Sequence, residues 1–274
     1  MSPVQALILG VIQGLTEFLP VSSSGHLVIA QELMGLRLPG VTFEVCLHLG
    51  TLVAVLVVFR REINQIIAAL GSLIHKAPHR RREDLTLVLA LIIGSIPAGV
   101  VGILFGDKVG NLFERPDVVG WALLATGGLL WVSDRKAHAH AVLMAGISPW
   151  DALFVGVGQA LALIPGLSRS GATIAFGLLR GLDRDTAARF SFLLSIPAIG
   201  GAALLELWQL EAFSLDTGLG VLLVGTVSAA VSGYLAVSLL LRLIRSNRLT
   251  YFSYYTWTVG LLLVLGSFLK GSGI

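Results

Sequence analysis

Charge is what this 274-residue sequence has least of. Asp, Glu, Lys and Arg make up only 13% of it, against about 25% in a soluble domain. Hydrophobic residues make up 55%, and the mean hydropathy is +0.86. A soluble globular domain is thereby excluded. Cysteine is nearly absent: Cys46 stands alone, so no intrachain disulfide forms and cysteine usage says nothing about redox compartment. No Lys or Arg precedes Arg37, and the first apolar run contains Gln13 and Glu17, so no cleavable signal peptide is expected. The net charge of +3 is small and tied to loops, which gives no reason to expect a nucleic-acid partner.

What is present in abundance is apolar runs near the roughly 20 residues that cross a bilayer. They lie at 43–59, 85–105, 117–133, 190–208, 218–241 and 251–269. A second pattern is internal repetition. Displaced by 146 residues, SPVQALILGVIQGLTEFLPVSSSG (2–25) falls on SPWDALFVGVGQALALIPGLSRSG (148–171), with 11 identities in 24 positions. The chain therefore reads as two copies, 1–133 and 148–274.

Each copy starts with a helical leg, breaks at a proline and a Ser/Gly turn, and continues as a short apolar leg, 25–35 or 171–181. Eleven residues at about 1.5 Å each reach about half of the hydrocarbon core. Such a leg cannot span, so each copy is expected to open with a re-entrant hairpin, whose broken backbone must be buried in protein or line a wet cavity. The alternative is an ordinary proline-kinked spanning helix. Gly10 and Gly14, with Gly156 and Ala160 in the second copy, give the smooth face that close helix packing needs. Ser2–Pro3 and Ser148–Pro149 read as helix starts.

Basic residues test this arrangement. If the first hairpin enters and leaves on the outer side and six spans follow, the segments 60–83, 134–149, 180–189 and 242–248 are cytoplasmic and hold fourteen of the nineteen Lys and Arg residues. Arg37, Lys108, Arg115 and Lys270 lie outside, and Arg169 sits in the second turn. This is a positive-inside bias. Three spans separate the hairpins, so the second copy inserts from the opposite face. The expected fold is an all-α polytopic membrane protein with an inverted-topology repeat: six transmembrane helices and two re-entrant hairpins whose turns meet near the midplane.

VSSSGH and LSRSG each open a helical leg with a serine at the cap. Free N–H groups at a helix start, together with hydroxyls, form an anion cradle. Two facing cradles, Ser22, Ser24 and Gly25 against Ser168, Ser170 and Gly171, suit a phosphate or a diphosphate. The plainer reading is that these serines only cap helices. Arg169 points the other way: a charge at membrane depth costs about 2.5–3.5 kcal/mol and usually faces a functional cavity, and its planar fork suits phosphate. Its alternative is an internal ion pair with Glu17.

Glu17 and Gln13, four residues apart, share one helix face. A carboxylate beside a phosphate must be protonated, act as a base or hold a divalent metal such as Mg²⁺. His26, in the first turn of the returning leg, is a candidate general acid, general base or nucleophile. Glu44 and His48 either line the approach or satisfy each other. Asp107, Asp117, Glu206 and Glu211 read as solvated near the membrane surface, and Trp121, Trp131, Trp150, Trp208 and Trp257 as interfacial anchors.

QGLTEFLPVSSSGH, FEVCLHLGT, PGLSRSGAT and RFSFLLSIP together resemble the undecaprenyl-diphosphate phosphatase family, also called bacitracin-resistance proteins, over nearly the whole chain. The resemblance implies a multi-pass enzyme of the bacterial inner membrane that removes one phosphate from a C55 polyprenyl diphosphate. The monophosphate then returns to carrying cell-wall precursors. It also implies a site opening to the periplasmic face, use of a divalent cation (Mg²⁺ or Ca²⁺), and function on Glu17, Ser23, His26 and Arg169. The family's first motif often reads E-G-x-T-E, and here its first glutamate is Gln13, which leaves the carboxylate and metal-ligand role to Glu17 alone. The expected mechanism has Ser23 as nucleophile and Arg169 with both turns as phosphate binders, with Gln13 as a further donor. Glu17 takes a metal or a proton, and His26 activates Ser23 or protonates the leaving group. His26 or water as nucleophile stays open, as does a homodimer. The alternative function is a lipid-phosphate flippase or anion transporter on the same inverted-repeat plan.

Overall fold

The computed structural model describes residues 1–36, 41–75, 82–110, 112, 115–136, 142–209, 218–245 and 249–271. Eleven α-helices follow in order among them: α1 (Pro3–Phe18), α2 (Ser23–Leu33), α3 (Val41–Val58), α4 (Arg60–His75), α5 (Arg82–Gly110), α6 (Pro116–Lys136), α7 (Pro149–Leu161), α8 (Arg169–Leu179), α9 (Arg184–Gln209), α10 (Leu219–Arg245) and α11 (Leu249–Gly271). The described residues contain no β-strand. Large hydrophobic side chains such as Ile103, Leu104, Val231, Leu262 and Phe268 stand on the outside, the reverse of a water-soluble surface and the surface that lipid covers. The chain is an all-α, multi-pass membrane protein.

Each of the six expected runs is a helix, but they differ in reach. Four helices are long and apolar enough to cross a membrane: Leu85–Gly106, Arg184–Glu206, Leu219–Ile244 and Leu249–Leu269. A fifth qualifies when α3 and α4 are counted as one bent span. Alone, α3 reaches about 27 Å, just under the hydrocarbon core. The chain then turns by 83° into α4. Where the sequence suggests a loop, α4 is an amphipathic helix that opens on Arg60, Arg61 and Glu62 and exposes Ile67 and Leu70, a composition suited to the membrane surface. The α6 run is long enough, but Gly127, Gly128 and an aspartate near each end dilute it.

A helix pair opens each copy, α1 with α2 and α7 with α8. Ser2 caps α1 reciprocally: Gln5 N–H donates to Ser2 Oγ at 3.3 Å and Ser2 N–H to Gln5 Oε1 at 2.8 Å. Ser148 caps α7 in the same way with Asp151, at 3.2 and 3.1 Å. Proline follows at the first helical position in both. Ser22 and Ser168 then cap the short helices α2 and α8, each accepting from the glycine three residues on.

Packing crosses between the halves. α1 lies along α10, α7 along α5, α3 between α10 and α9, and α6 along α11. Gly10 and Gly14 press against the backbone of α10 at Gly225 and Ala229, where a Cβ has no room. Phe18, Phe59 and Phe192 meet edge-on or tilted in the larger core, the Phe18 and Phe192 ring centroids 5.7 Å apart. At one end, the described parts of three of the basic segments meet, beside Thr250. Asp134 pairs with Arg184 and accepts from Thr250 N–H, Arg189 reaches Glu62 at 2.7 Å, and Val142 bridges Leu182. Trp121, Trp150 and Trp208 are exposed, as anchors would be. Trp131 and Trp257 instead pack on one another, with Arg135 over the Trp131 ring and Trp257 Nε1–H donating to Leu124 O. Glu211 and Arg37 lie outside the described residues.

Candidate active site

The two serine turns meet. Ser170 Oγ–H donates across to Leu19 O at 3.1 Å, and Gly166 N–H to Ser24 Oγ at 3.4 Å. Within each turn the same spacing recurs, Ser22 Oγ to Ser24 Oγ and Ser168 Oγ to Ser170 Oγ, both 3.2 Å. Thr126 on α6 clamps the second turn, accepting from Ser168 N–H at 3.1 Å while its hydroxyl reaches Gly166 O. The second turn places a glycine at positive φ (Gly166, 90°), whereas in the first it is Ser22 that takes φ 69°. A left-handed serine is uncommon, and such backbone strain concentrates at functional sites.

Glu17, at the end of α1, is the hub. It is 8% exposed, and its two oxygens gather three elements. Arg169 Nη2 donates to Oε1 at 2.5 Å, Ser23 Oγ–H to Oε2 at 2.6 Å, and Gln13 Nε2 to Oε2 at 3.0 Å. The ion pair that is the plainer reading of Arg169 therefore exists, yet it uses one arm only. The other arm, Nη1, is buried with no partner among the described residues. A buried guanidinium nitrogen left unpaired is costly, and a phosphate oxygen would satisfy it.

These groups sit at one end of a cavity of about 300 Å³, lined there by Glu17, Ser22, Ser23, Ser24, Ser168 and Arg169. Apolar walls come from α2 and α9, with Leu27, Val28, Ile199 and Ala202 among them. The first N–H groups of a helix have no intrahelical acceptor, and those of Ser23 and Arg169 open the two returning helices here. Gly25 and Gly171 are expected as binders, but their N–H groups are taken, donating to Ser22 Oγ and Ser168 Oγ. They shape the cradle rather than fill it.

One histidine leaves the place the sequence gives it, and another takes the first of its two readings. His26 does not line the cavity. Its ring stacks on Tyr255, its Nδ1 lies 2.8 Å from Ser22 O and its Nε2 2.7 Å from Tyr255 Oη. A carbonyl only accepts, so Nδ1 carries the proton and Nε2 accepts from the tyrosine hydroxyl. His26 thus braces the strained Ser22. His48 does line the cavity, and its partner is Gln13 rather than Glu44: Nδ1 is 3.1 Å from Gln13 Nε2 and 3.8 Å from Glu17 Oε2. Gln13 Nε2 can only donate, so Nδ1 accepts and Nε2 of His48 bears the proton. Glu44 and Glu206 line the same cavity, whereas the sequence suggests that Glu206 stands in solvent. Tyr255 and Thr126 give no local signal, because each acts on a partner at least 40 residues away in sequence.

A protein-built metal cage does not fit these donors. Both Glu17 oxygens are already occupied, and no group of three or more His, Cys, Asp or Glu side chains among the described residues is arranged to hold an ion.

The model of the bacitracin resistance protein BacA family matches residues 6–262. A protein of Halothermothrix orenii named undecaprenyl-diphosphatase is 44% identical over 266 residues, covering 95% of this chain and 96% of its own length. Proteins of the same name in Desulforapulum autotrophicum and Desulfosudis oleivorans are 43% and 45% identical over 273 and 268 residues. They cover 96% and 95% of this chain and 98% and 97% of their own lengths.

Proposed function

Because the chain belongs to the bacitracin resistance protein BacA family, we propose that it is an integral membrane phosphatase acting at the two serine turns. It hydrolyses undecaprenyl diphosphate to the monophosphate and inorganic phosphate, which returns the lipid carrier to cell-wall synthesis. The observation that carries this reading is the Ser23–Glu17–Arg169 chain of contacts, a hydroxyl, a base and an anion-binding guanidinium within hydrogen-bond reach in one cavity. A flippase or anion carrier needs only binding groups and has no use for a hydroxyl held at 2.6 Å by a carboxylate.

The terminal phosphate lies between Ser23 Oγ and Arg169 Nη1, with the N–H groups of both turns as further donors. Ser23 Oγ attacks the terminal phosphorus and its proton passes to Glu17 Oε2. The bond from phosphorus to the bridging oxygen breaks, and prenyl monophosphate leaves with that oxygen. Water then attacks the phosphoserine phosphorus and the bond to Ser23 Oγ breaks. Oγ takes back the proton held on Glu17, Glu17 takes one from the attacking water and releases it to solvent, and inorganic phosphate leaves. Positioning and charge stabilisation do most of the work in phosphoryl transfer, which is the task of Arg169. Gln13 orients Glu17 and His48 together. His26 keeps the Ser22 turn in shape and acts through it as a positioning residue. We place the protein in the bacterial inner membrane with the cavity opening to the periplasmic side, in keeping with the bias of basic residues in the sequence toward the segments on the opposite side. The two hairpins are read as inverted copies. Mg²⁺ or Ca²⁺ would be brought by the diphosphate rather than held by the protein and would supply charge neutralisation, and no step above passes through it.

Purified protein in detergent tests this, because no second membrane side exists there for a carrier to reach. Phosphate release from a prenyl diphosphate is expected, while titration of the ligand-free protein with Mg²⁺ or Ca²⁺ yields no saturable binding. Binding of the lipid without release, with Mg²⁺ or Ca²⁺ present, would move the carrier reading to first place. Submillimolar cation binding to the free protein would reinstate a protein-built metal site.

A further inference from the structure

The duplicated hairpins do not pack alike, and the difference creates a second cavity. Along α1 and α10 the seam is closed at two levels, Gly10 against Gly225 and Gly14 against Ala229, with Ser228 and Ser232 beside them. Along α7 and α5 it is closed at one level, Gly156 against Gly94. One turn further on, Ala160 stands where the first copy has Gly14. Counting the same steps from Gly94 as from Gly225, Pro97 and Val101 stand where α10 has Ser228 and Ser232. A methyl group and a proline-bearing helix cannot close as two glycines and two serines do. The helices part there and leave an apolar groove of about 490 Å³, lined by Pro97, Val100, Val101, Val157 and Ala160 among others.

This groove adjoins the active site. Leu163 lines both cavities. In the repeat it occupies the position of Glu17, so the residue that gathers the head-group machinery in one copy is a leucine at the junction in the other. Val100, Val157 and Leu161 are exposed on the outer surface of the bundle, so an extended hydrocarbon can lie in the groove and continue into the membrane. The phosphate end of the site is polar, and Leu163 stands between it and the wholly apolar α5–α7 groove, which is the order of groups in a prenyl diphosphate. We infer that the α5–α7 groove binds the isoprenoid chain of the enzyme's own substrate, with the first units passing Leu163. The inference rests on the phosphatase reading for the identity of the lipid. Apolar contact along such a slot stabilises by area buried, so chain length is felt there and not at the turns.

The test uses the whole protein in detergent. A prenyl diphosphate carrying a photoreactive group on its chain is cross-linked and the labelled peptides are mapped by mass spectrometry. Label on α5 and α7, suppressed by unlabelled prenyl diphosphate but not by a diacyl phospholipid, is expected. Label on the α1–α10 seam, or label displaced equally by phospholipid, overturns the assignment, the latter making the groove a general lipid contact. Binding alone produces the label, so this outcome does not depend on turnover. A second arm fills the groove with Val101→Trp. The KM for the C55 substrate is expected to rise about tenfold or more, the loss of about two buried CH₂ groups. Turnover of a C5 diphosphate, too short to enter, stays at the wild-type level and certifies the fold. An unchanged C55 KM with normal C5 turnover contradicts the groove assignment. Absent C5 and C55 turnover in the wild type contradicts the phosphatase reading instead.

Discussion

Ser23→Ala is expected to abolish phosphate release while leaving lipid binding nearly intact. The expected fall in kcat is on the order of 10⁴-fold or more, the scale seen when a nucleophile that works with a base is removed. The substitution is clean for local reasons. Ser23 is the first residue of α2, and the cap belongs to Ser22, whose Oγ accepts from Gly25 N–H. Removing Oγ from position 23 therefore leaves the helix start satisfied. Glu17 keeps Arg169 and Gln13 as donors, so its buried carboxylate is not abandoned. Affinity for the diphosphate, measured by equilibrium binding, should change little because Arg169 and the N–H groups of both turns stay. If Ser23→Ala retained a tenth or more of wild-type kcat, Ser23 would not be the nucleophile. Ser22→Ala is the contrasting variant: it uncaps α2, at about 0.5–2 kcal/mol of stability, and activity and stability should fall together.

The second large effect is at Arg169, where Lys is more informative than Ala. Alanine would leave Glu17 buried without its cation, and breaking a buried pair by deleting one partner costs about 3–5 kcal/mol, so loss of activity could be loss of fold. Lysine keeps a positive charge for Glu17 and removes the planar fork. The Nη1 arm, buried and unpartnered among the described residues, has no counterpart on an ammonium already committed to the carboxylate. Arg169→Lys should fold with a thermal midpoint near wild type and lose about 10²–10³ in kcat, the cost of one donor aimed at developing charge. Near-normal kcat in this variant would reduce the arginine to a structural counter-ion.

Much of this architecture is legible in the sequence, and the reason is local. The caps Ser2, Ser148, Ser22 and Ser168 act within three residues of themselves, so the 146-residue repeat in their spacing is enough to mark both helix pairs and both turns. The six long helices follow from apolar length. Family resemblance carries the reaction and points to Glu17, Ser23 and Arg169, which the fold brings into direct contact. What the sequence does not display depends on distant packing. His26 and Tyr255 are 229 residues apart, and only the fold of α11 against α2 turns that histidine away from the cavity. Pairing with Glu44 is one of the two readings the sequence offers for His48, because helical neighbours four apart are what a sequence can show. Its actual partner, Gln13, is on another helix. The turn of 83° after Phe59 has neither proline nor glycine to announce it. In the α5–α7 seam the repeat is visible, but that Ala160, Pro97 and Val101 open it follows from which residues face one another, not from their periodicity.

The central claim is that the first serine turn performs covalent chemistry on a phosphate held by the second. The most direct measurement is acid quenching of the enzyme during turnover of a prenyl diphosphate, followed by mass spectrometry of the peptide containing residues 17–26. A phosphoryl group on Ser23, absent from Ser23→Ala and dependent on substrate, is the predicted result. A phosphoryl group on His26, or none at all together with single-step inversion at phosphorus, would contradict the account and make water or the histidine the attacking group.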